Sequence, residues 1–120
     1  MLDNVLQYFI DNAPDSISRA KYSASRERSI GVGALGFHAY LQKIQVPFES
    51  ALAVSKNRQM FKHIREGLDH ANIELGNERD EAPDAKGTGR RFSHVMAIAP
   101  NASSSIIMGN TSPSIEPYRA

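Results

Sequence analysis

The chain has no cysteine among its 120 residues. This excludes a disulfide framework and a thiolate metal site, and it excludes any reaction step that needs a thiol from this chain. No apolar run approaches the roughly 18 residues needed to cross a bilayer as a helix. The N-terminus lacks a basic segment followed by an apolar core, so it does not read as a secretory signal, and a cytoplasmic location follows by default. Charge of one sign is also missing. Lys and Arg number 14, Asp and Glu 13, giving +1 with neutral His. That near-balance does not suggest a nucleic-acid surface or a polyanion partner. Among the four histidines, His63 and His70 lie seven apart on one long helical stretch. They lack the i, i+4 spacing of two ligands on a helix, and no His-Glu-x-x-His arrangement occurs, so they read as surface histidines and no metal site is expected.

What is present is organised around residues 96–117. Val95, Met96, Ala97 and Ile98 form a short apolar run that predicts a buried strand. Pro100 stops strand pairing because it has no N–H to give. Asn101, Ser103, Ser104 and Ser105 favour a helix start, where backbone N–H groups lack partners. Ile106, Ile107 and Met108 continue the apolar pattern, and Gly109-Asn110 is a helix stop. Two readings of this helix start stay open. It is an ordinary capped helix with a serine-rich first turn, or its free N–H groups and dipole hold a phosphate, with hydroxyls of Ser103 and Ser104 adding hydrogen bonds.

Upstream, Leu2, Val5, Leu6, Phe9 and Ile10 repeat at helical spacing, with Asp3, Asn4, Gln7 and Asp11 on the other side. Asn12-Ala-Pro14 ends this helix, and a polar loop begins at Asp15-Ser16. Residues 18–28, with Arg19, Lys21, Arg26 and Arg28, read as a basic, solvated connection. Gly31, Gly33 and Gly36 spell G-x-G-x-x-G, but no apolar strand precedes them and Glu49 follows a Pro turn. A dinucleotide site is therefore disfavoured. The glycines instead let a strand and the following helix pack closely, with Phe37, Tyr40, Leu41 and Ile44 as that helix's buried face. Val46-Pro47-Phe48 predicts a turn.

Residues 49–77 predict a long helix striped by Leu52, Met60, Phe61, Ile64, Leu68, Ala71 and Leu75. Gly67 weakens it mildly, and Gly76 is placed as its C-terminal cap. Residues 77–89 read as an exposed loop. Lys86-Gly-Thr-Gly-Arg-Arg91 lacks the order of a phosphate loop, since its lysine precedes the glycines. A solvent loop leading into a strand near Phe92 fits better, with Arg90 or Arg91 as candidates near a substrate anion.

The run Ala99-Pro-Asn-Ala-Ser-Ser-Ser-Ile-Ile-Met-Gly-Asn-Thr-Ser-Pro-Ser-Ile-Glu-Pro117 resembles the C-terminal catalytic-barrel region of ribonucleotide reductase large subunits. Arg28-Ser-Ile-Gly-Val-Gly33 followed by Gly36-Phe37 resembles a second block of that family. The resemblance covers essentially the whole chain and looks closest to class I large subunits carried by bacteriophages. It implies an α/β fold: a partial segment of a ten-stranded α/β barrel, mostly helical with a few short strands. Residues 1–120 would form an incomplete part of the barrel domain, since family large subunits are several times longer.

The resemblance further implies that Asn101, Ala102, Ser103 and Ser104 line the substrate's phosphates in the reduction of ribonucleoside diphosphates to deoxyribonucleotides. Asn101 stands where many members have Ser or Thr, and Ala102 offers only its backbone N–H. The family's radical cysteine, its Asn and Glu partners, its reducing cysteines and the tyrosines of its radical path all fall outside this chain. No catalytic residue, cofactor or effector site is therefore expected here. The complete enzyme would draw on a small-subunit radical and a dithiol reductant. The implied partners are the remaining large-subunit segments, the small subunit and the diphosphate substrate, with no nucleic acid or membrane. The competing expectation is a non-catalytic phosphate- or nucleotide-binding remnant of a split or truncated reductase gene.

Overall fold

Helices dominate the computed structural model, which describes residues 1–118. In order they are α1 (Leu2–Asn12), a 3-10 turn (Asp15–Ile17), α2 (Ser18–Glu27), α3 (Phe37–Lys43), α4 (Ala51–Arg79), a second 3-10 turn (Pro83–Ala85) and α5 (Ala102–Ile107). The chain divides into two units. The first comprises Met1–Gly31 and Glu66–Met96, and the second begins with Val32–Arg65 and resumes at Ala97.

In the first unit α1 packs on α2, and α2 packs on the Pro83–Ala85 turn. Ala13 ends α1 in an extended conformation (φ −62°, ψ 134°), as expected before Pro14. The expected basic loop over residues 18–28 is instead α2. Ala20, Ala24, Lys21, Arg26 and Glu27 are good helix formers and outweigh the serines. Those serines bond locally rather than breaking the helix. Ser25 Oγ donates to the Tyr22 carbonyl at 2.7 Å, and Ser23 Oγ to Glu27 at 3.1 Å.

The expected burial of α1 holds in part: Leu6 and Ile10 are half-buried and Asn4 and Asp11 exposed, but Asp3 departs from it. Val5 is 61% exposed while Asp3 is buried. α4 runs on to Arg79, so Gly76 lies inside it rather than capping it, and Asp80, at φ 68°, takes the left-handed conformation after its end. The reason is close packing. A Cβ built on Gly76 would lie 2.1 Å from the Gly89 carbonyl oxygen. Residues 77–89 are likewise not simply an exposed loop, because Ala82 and Ala85 are buried. The segment after them is pinned to α4 by buried Asn72. Its amide donates to the Phe92 carbonyl at 3.1 Å and accepts the Phe92 N–H at 2.7 Å.

The core of the second unit is Phe37, Leu41 and Ala53, with Val46, Met60 and Ile115 packed around it. Tyr40 and Ile44, expected on the buried face of α3, are 42% and 37% exposed. α3 has only 7 residues, so a single pair at i, i+4 reaches the core. The Phe48 ring meets Phe37 edge-on at 6.3 Å. Gly36 starts α3 at φ 85°, a conformation that favours glycine. Gly33 sits where a Cβ would meet the Ala97 carbonyl oxygen at 2.5 Å.

The expected strands at residues 95–98 and near Phe92 are reduced, among the described residues, to isolated bridge positions at Val32 and Met96. Ile30 N–H donates to the His94 carbonyl at 3.0 Å in the first unit, and Ala97 N–H to the Val32 carbonyl at 3.2 Å in the second.

Candidate functional site

The residues singled out in the sequence, Asn101, Ala102, Ser103 and Ser104, come together at the start of α5. Asn101 is its N-cap, held at φ 54° in the left-handed region, which Asn tolerates better than most residues. Its side chain makes no capping hydrogen bond. The first helical N–H with an acceptor is that of Ser105, which donates to the Asn101 carbonyl at 2.9 Å. The N–H groups of Ala102, Ser103 and Ser104 precede it, and the helical ladder offers them no acceptor. All three residues are exposed. The helix is 6 residues long, so its dipole is small and the local N–H donors dominate.

Ser105 differs from its neighbours. It is 6% exposed, and its Oγ donates to the Ala102 carbonyl at 2.7 Å. Gly109 (φ 83°) and Asn110 (φ 57°) turn the chain after α5 as expected. Ile106, Ile107 and Met108 do not bury in this unit, being 66%, 82% and 68% exposed. Beside α5 lies an open cleft of about 340 Å³ whose lining includes Ala102, Ile106, Asn110, Glu116 and Tyr118. The Ser-Ile-Glu-Pro signature and the helix start therefore border one cleft. Tyr118 closes the turn by donating its hydroxyl to the Asn110 carbonyl at 3.1 Å.

In the first unit Arg91 is committed elsewhere. Its Nε lies 3.2 Å from Asp3 Oδ1, and its Nη1 donates to the Arg79 carbonyl at 2.6 Å. Arg90 faces Asp69 at 3.7 Å. Asp3 collects two further guanidinium groups, Arg28 at 2.8 Å and Arg79 at 2.9 Å. Burial raises its carboxyl pKa, but hydrogen bonds from Arg28, Arg79 and Arg91 outweigh that and hold it below the usual carboxylate value. Sequence reasoning missed this cluster, because its members are scattered along the chain and no local pattern links them. His63 and His70 are exposed as expected. Among the described residues, no group of His, Cys, Asp and Glu suits a metal ion, and no helix is long and apolar enough to cross a membrane.

Comparison with known proteins matches the family model for the ribonucleotide reductase barrel domain over residues 1–88 and 82–120. The chain is 64% identical over 119 residues to the ribonucleoside-diphosphate reductase large subunit of Invertebrate iridescent virus 3, covering 99% of this chain and 19% of that protein. It is 56% identical to the corresponding protein of Invertebrate iridescent virus 6, covering 100% of this chain and 12% of that one. Among solved structures, the class Id ribonucleotide reductase alpha subunit of Actinobacillus ureae superposes with a TM-score of 0.94 at 40% identity, covering 98% of this chain and 23% of that one. The chain thus spans about a fifth or less of the length of these viral relatives. The mostly helical fold is that of a portion of an α/β barrel, and the chain belongs to the ribonucleotide reductase barrel-domain family.

Proposed function

We propose that residues 1–120 are part of the barrel domain of a ribonucleoside-diphosphate reductase large subunit and supply the wall that binds the substrate's phosphates. The observation that carries this reading is the match of the barrel-domain model along the whole chain. The N–H groups of Ala102, Ser103 and Ser104 support the role of the wall, because they stand at one helix start with no acceptor in the helix. Hydrogen bonds to a charged group contribute roughly 1.5–3 kcal/mol each, so two or three of them orient a diphosphate firmly. Ser103 and Ser104 add hydroxyls, and Asn101 fixes the turn that aims the donors.

The reduction itself is carried elsewhere. With no cysteine, this chain supplies neither the thiyl radical nor the dithiol. A small-subunit radical and a dithiol reductant provide that chemistry in the complete cytoplasmic enzyme. The remaining large-subunit segments are the direct partners. They cover the apolar groups left open at Ile98, Ile106 and Ile107, and they give residues 95–98 the parallel neighbours with which a barrel strand pairs.

The test is complementation. Deoxynucleotide production is assayed with the small subunit, dithiothreitol and an effector. The chain alone gives none, and addition of the remaining large-subunit segments gives turnover. Failure of the completed subunit to turn over, with substrate still bound, would favour the non-catalytic phosphate-binding remnant.

A further inference from the structure

The segment that ends in the Ser-Ile-Glu-Pro signature is fastened to the first turn of α3. Ser112 is fully buried. Its Oγ accepts the Ala39 N–H at 3.1 Å, and its carbonyl accepts the Gly36 N–H at 2.8 Å. A helix start leaves such N–H groups without partners, and α3 has no side-chain cap from its own N-cap residue. A hydroxyl 73 positions away in sequence supplies that role. The approach is close, since a Cβ on Gly36 would meet Thr111 Oγ1 at 2.8 Å.

From Ser112 a connected path leads to the start of α5. Thr111, its neighbour, donates its N–H to the Ser105 carbonyl at 3.1 Å. Ser105 in turn donates its hydroxyl to the Ala102 carbonyl at 2.7 Å. A second fastening lies six residues on, where Tyr118 N–H donates to His38 Nδ1 at 2.9 Å. α3 therefore holds both ends of the signature turn, and the first hold continues through half-buried Thr111 and buried Ser105 to Ala102.

We propose that Ser112 is a positioning residue for phosphate binding at the start of α5, an inference that rests on the functional reading above. Ser112 acts on the ligand only through Thr111 and Ser105. Hydrogen bonds to a charged group are short and directional, so a small shift of the donors weakens them. Loss of the Ser112 hydroxyl therefore appears in substrate binding and not only in stability.

The experiment uses the complete large subunit carrying this chain, with CDP as substrate, and reads KM, kcat and the melting temperature. Ser112→Ala raises KM roughly two- to tenfold, the effect of one lost hydrogen bond, with kcat little changed. Ser112→Thr keeps the hydroxyl and restores KM. Ala39→Pro removes the same bond from the donor side, in a first turn that tolerates proline, and reproduces the rise. Unchanged KM in Ser112→Ala and Ala39→Pro overturns the proposal, as does an equal rise in Ser112→Thr. Ser103→Pro separates the two layers. If it raises KM while Ser112→Ala does not, only the positioning role fails. If it leaves KM unchanged, the phosphate site itself fails.

Discussion

Asp3 and Arg28 lie 25 positions apart in sequence and 2.8 Å apart in space, with side chains only 4% and 8% exposed. The carboxylate of α1 thus meets the guanidinium that follows α2, and Arg79 and Arg91 complete the cluster. Removing one partner of a buried ion pair leaves the others uncompensated. Asp3→Ala is therefore expected to destabilise the docking of α1 by about 3–5 kcal/mol. Amide hydrogen exchange of α1 in the complete subunit checks this, and unchanged protection would contradict it.

The same cluster sets a pH dependence. The three arginines hold the folded Asp3 carboxyl below its usual value. Its contribution is therefore fully present above the ordinary carboxylate pKa of roughly 4, and is lost as pH falls through the lower folded value. Protection of α1 should weaken below about pH 4, and Asp3→Asn should remove that component of the dependence. A profile of the same shape in both proteins would show that other carboxylates govern acid unfolding.

Two glycines in α4 should respond oppositely to alanine. Gly67 has open space around its Cβ position, so Gly67→Ala should stabilise the helix by up to about 1 kcal/mol. At Gly76 the Cβ would stand 2.1 Å from a backbone carbonyl oxygen. Gly76→Ala should cost roughly 1–3 kcal/mol through overpacking. Hydrogen exchange along α4 reads both, and equal responses would contradict the packing described at Gly76.

The chain by itself should associate or unfold readily. Ile98 is 77% exposed and Ile107 82%, and exposed apolar surface of this kind favours association. Size-exclusion chromatography and thermal unfolding test this. A compact monomer with one cooperative transition would show that the fragment is self-sufficient.

Helices with strong periodicity or clear stop signals were legible in the sequence. α1 follows from Leu2, Leu6 and Phe9 and from Pro14. α4 follows from its apolar stripe, and the turn after α5 from Gly109-Asn110. α2 was obscured because serine is ambiguous: at Ser25 the hydroxyl bonds back to the Tyr22 carbonyl and leaves the helix intact. The burial of Asp3 on α1 was not legible either, since the arginines that cover it are distant in sequence. Gly76 read as a cap because a close backbone approach leaves no local signature. The strand expected at residues 95–98 is only a bridge position at Met96, because an apolar run does not itself supply the neighbours a strand pairs with. The start of α5 was legible as a helix start. The hold of Ser112 on α3 was not, because a buried serine and a turn serine look alike in sequence.

The proposed binding of the substrate's diphosphate by backbone N–H groups at the start of α5 is tested by substrate affinity in Ser103→Pro. Proline removes one N–H and fits a first helical turn. CDP affinity of the complete subunit should fall by on the order of tenfold, since about 1.4 kcal/mol corresponds to that factor. Ser103→Ala, which removes only the hydroxyl, should cost less, and Ser29→Ala in the glycine block should cost little. Wild-type affinity in a folded Ser103→Pro subunit, checked by circular dichroism, would rule out diphosphate binding at the start of α5.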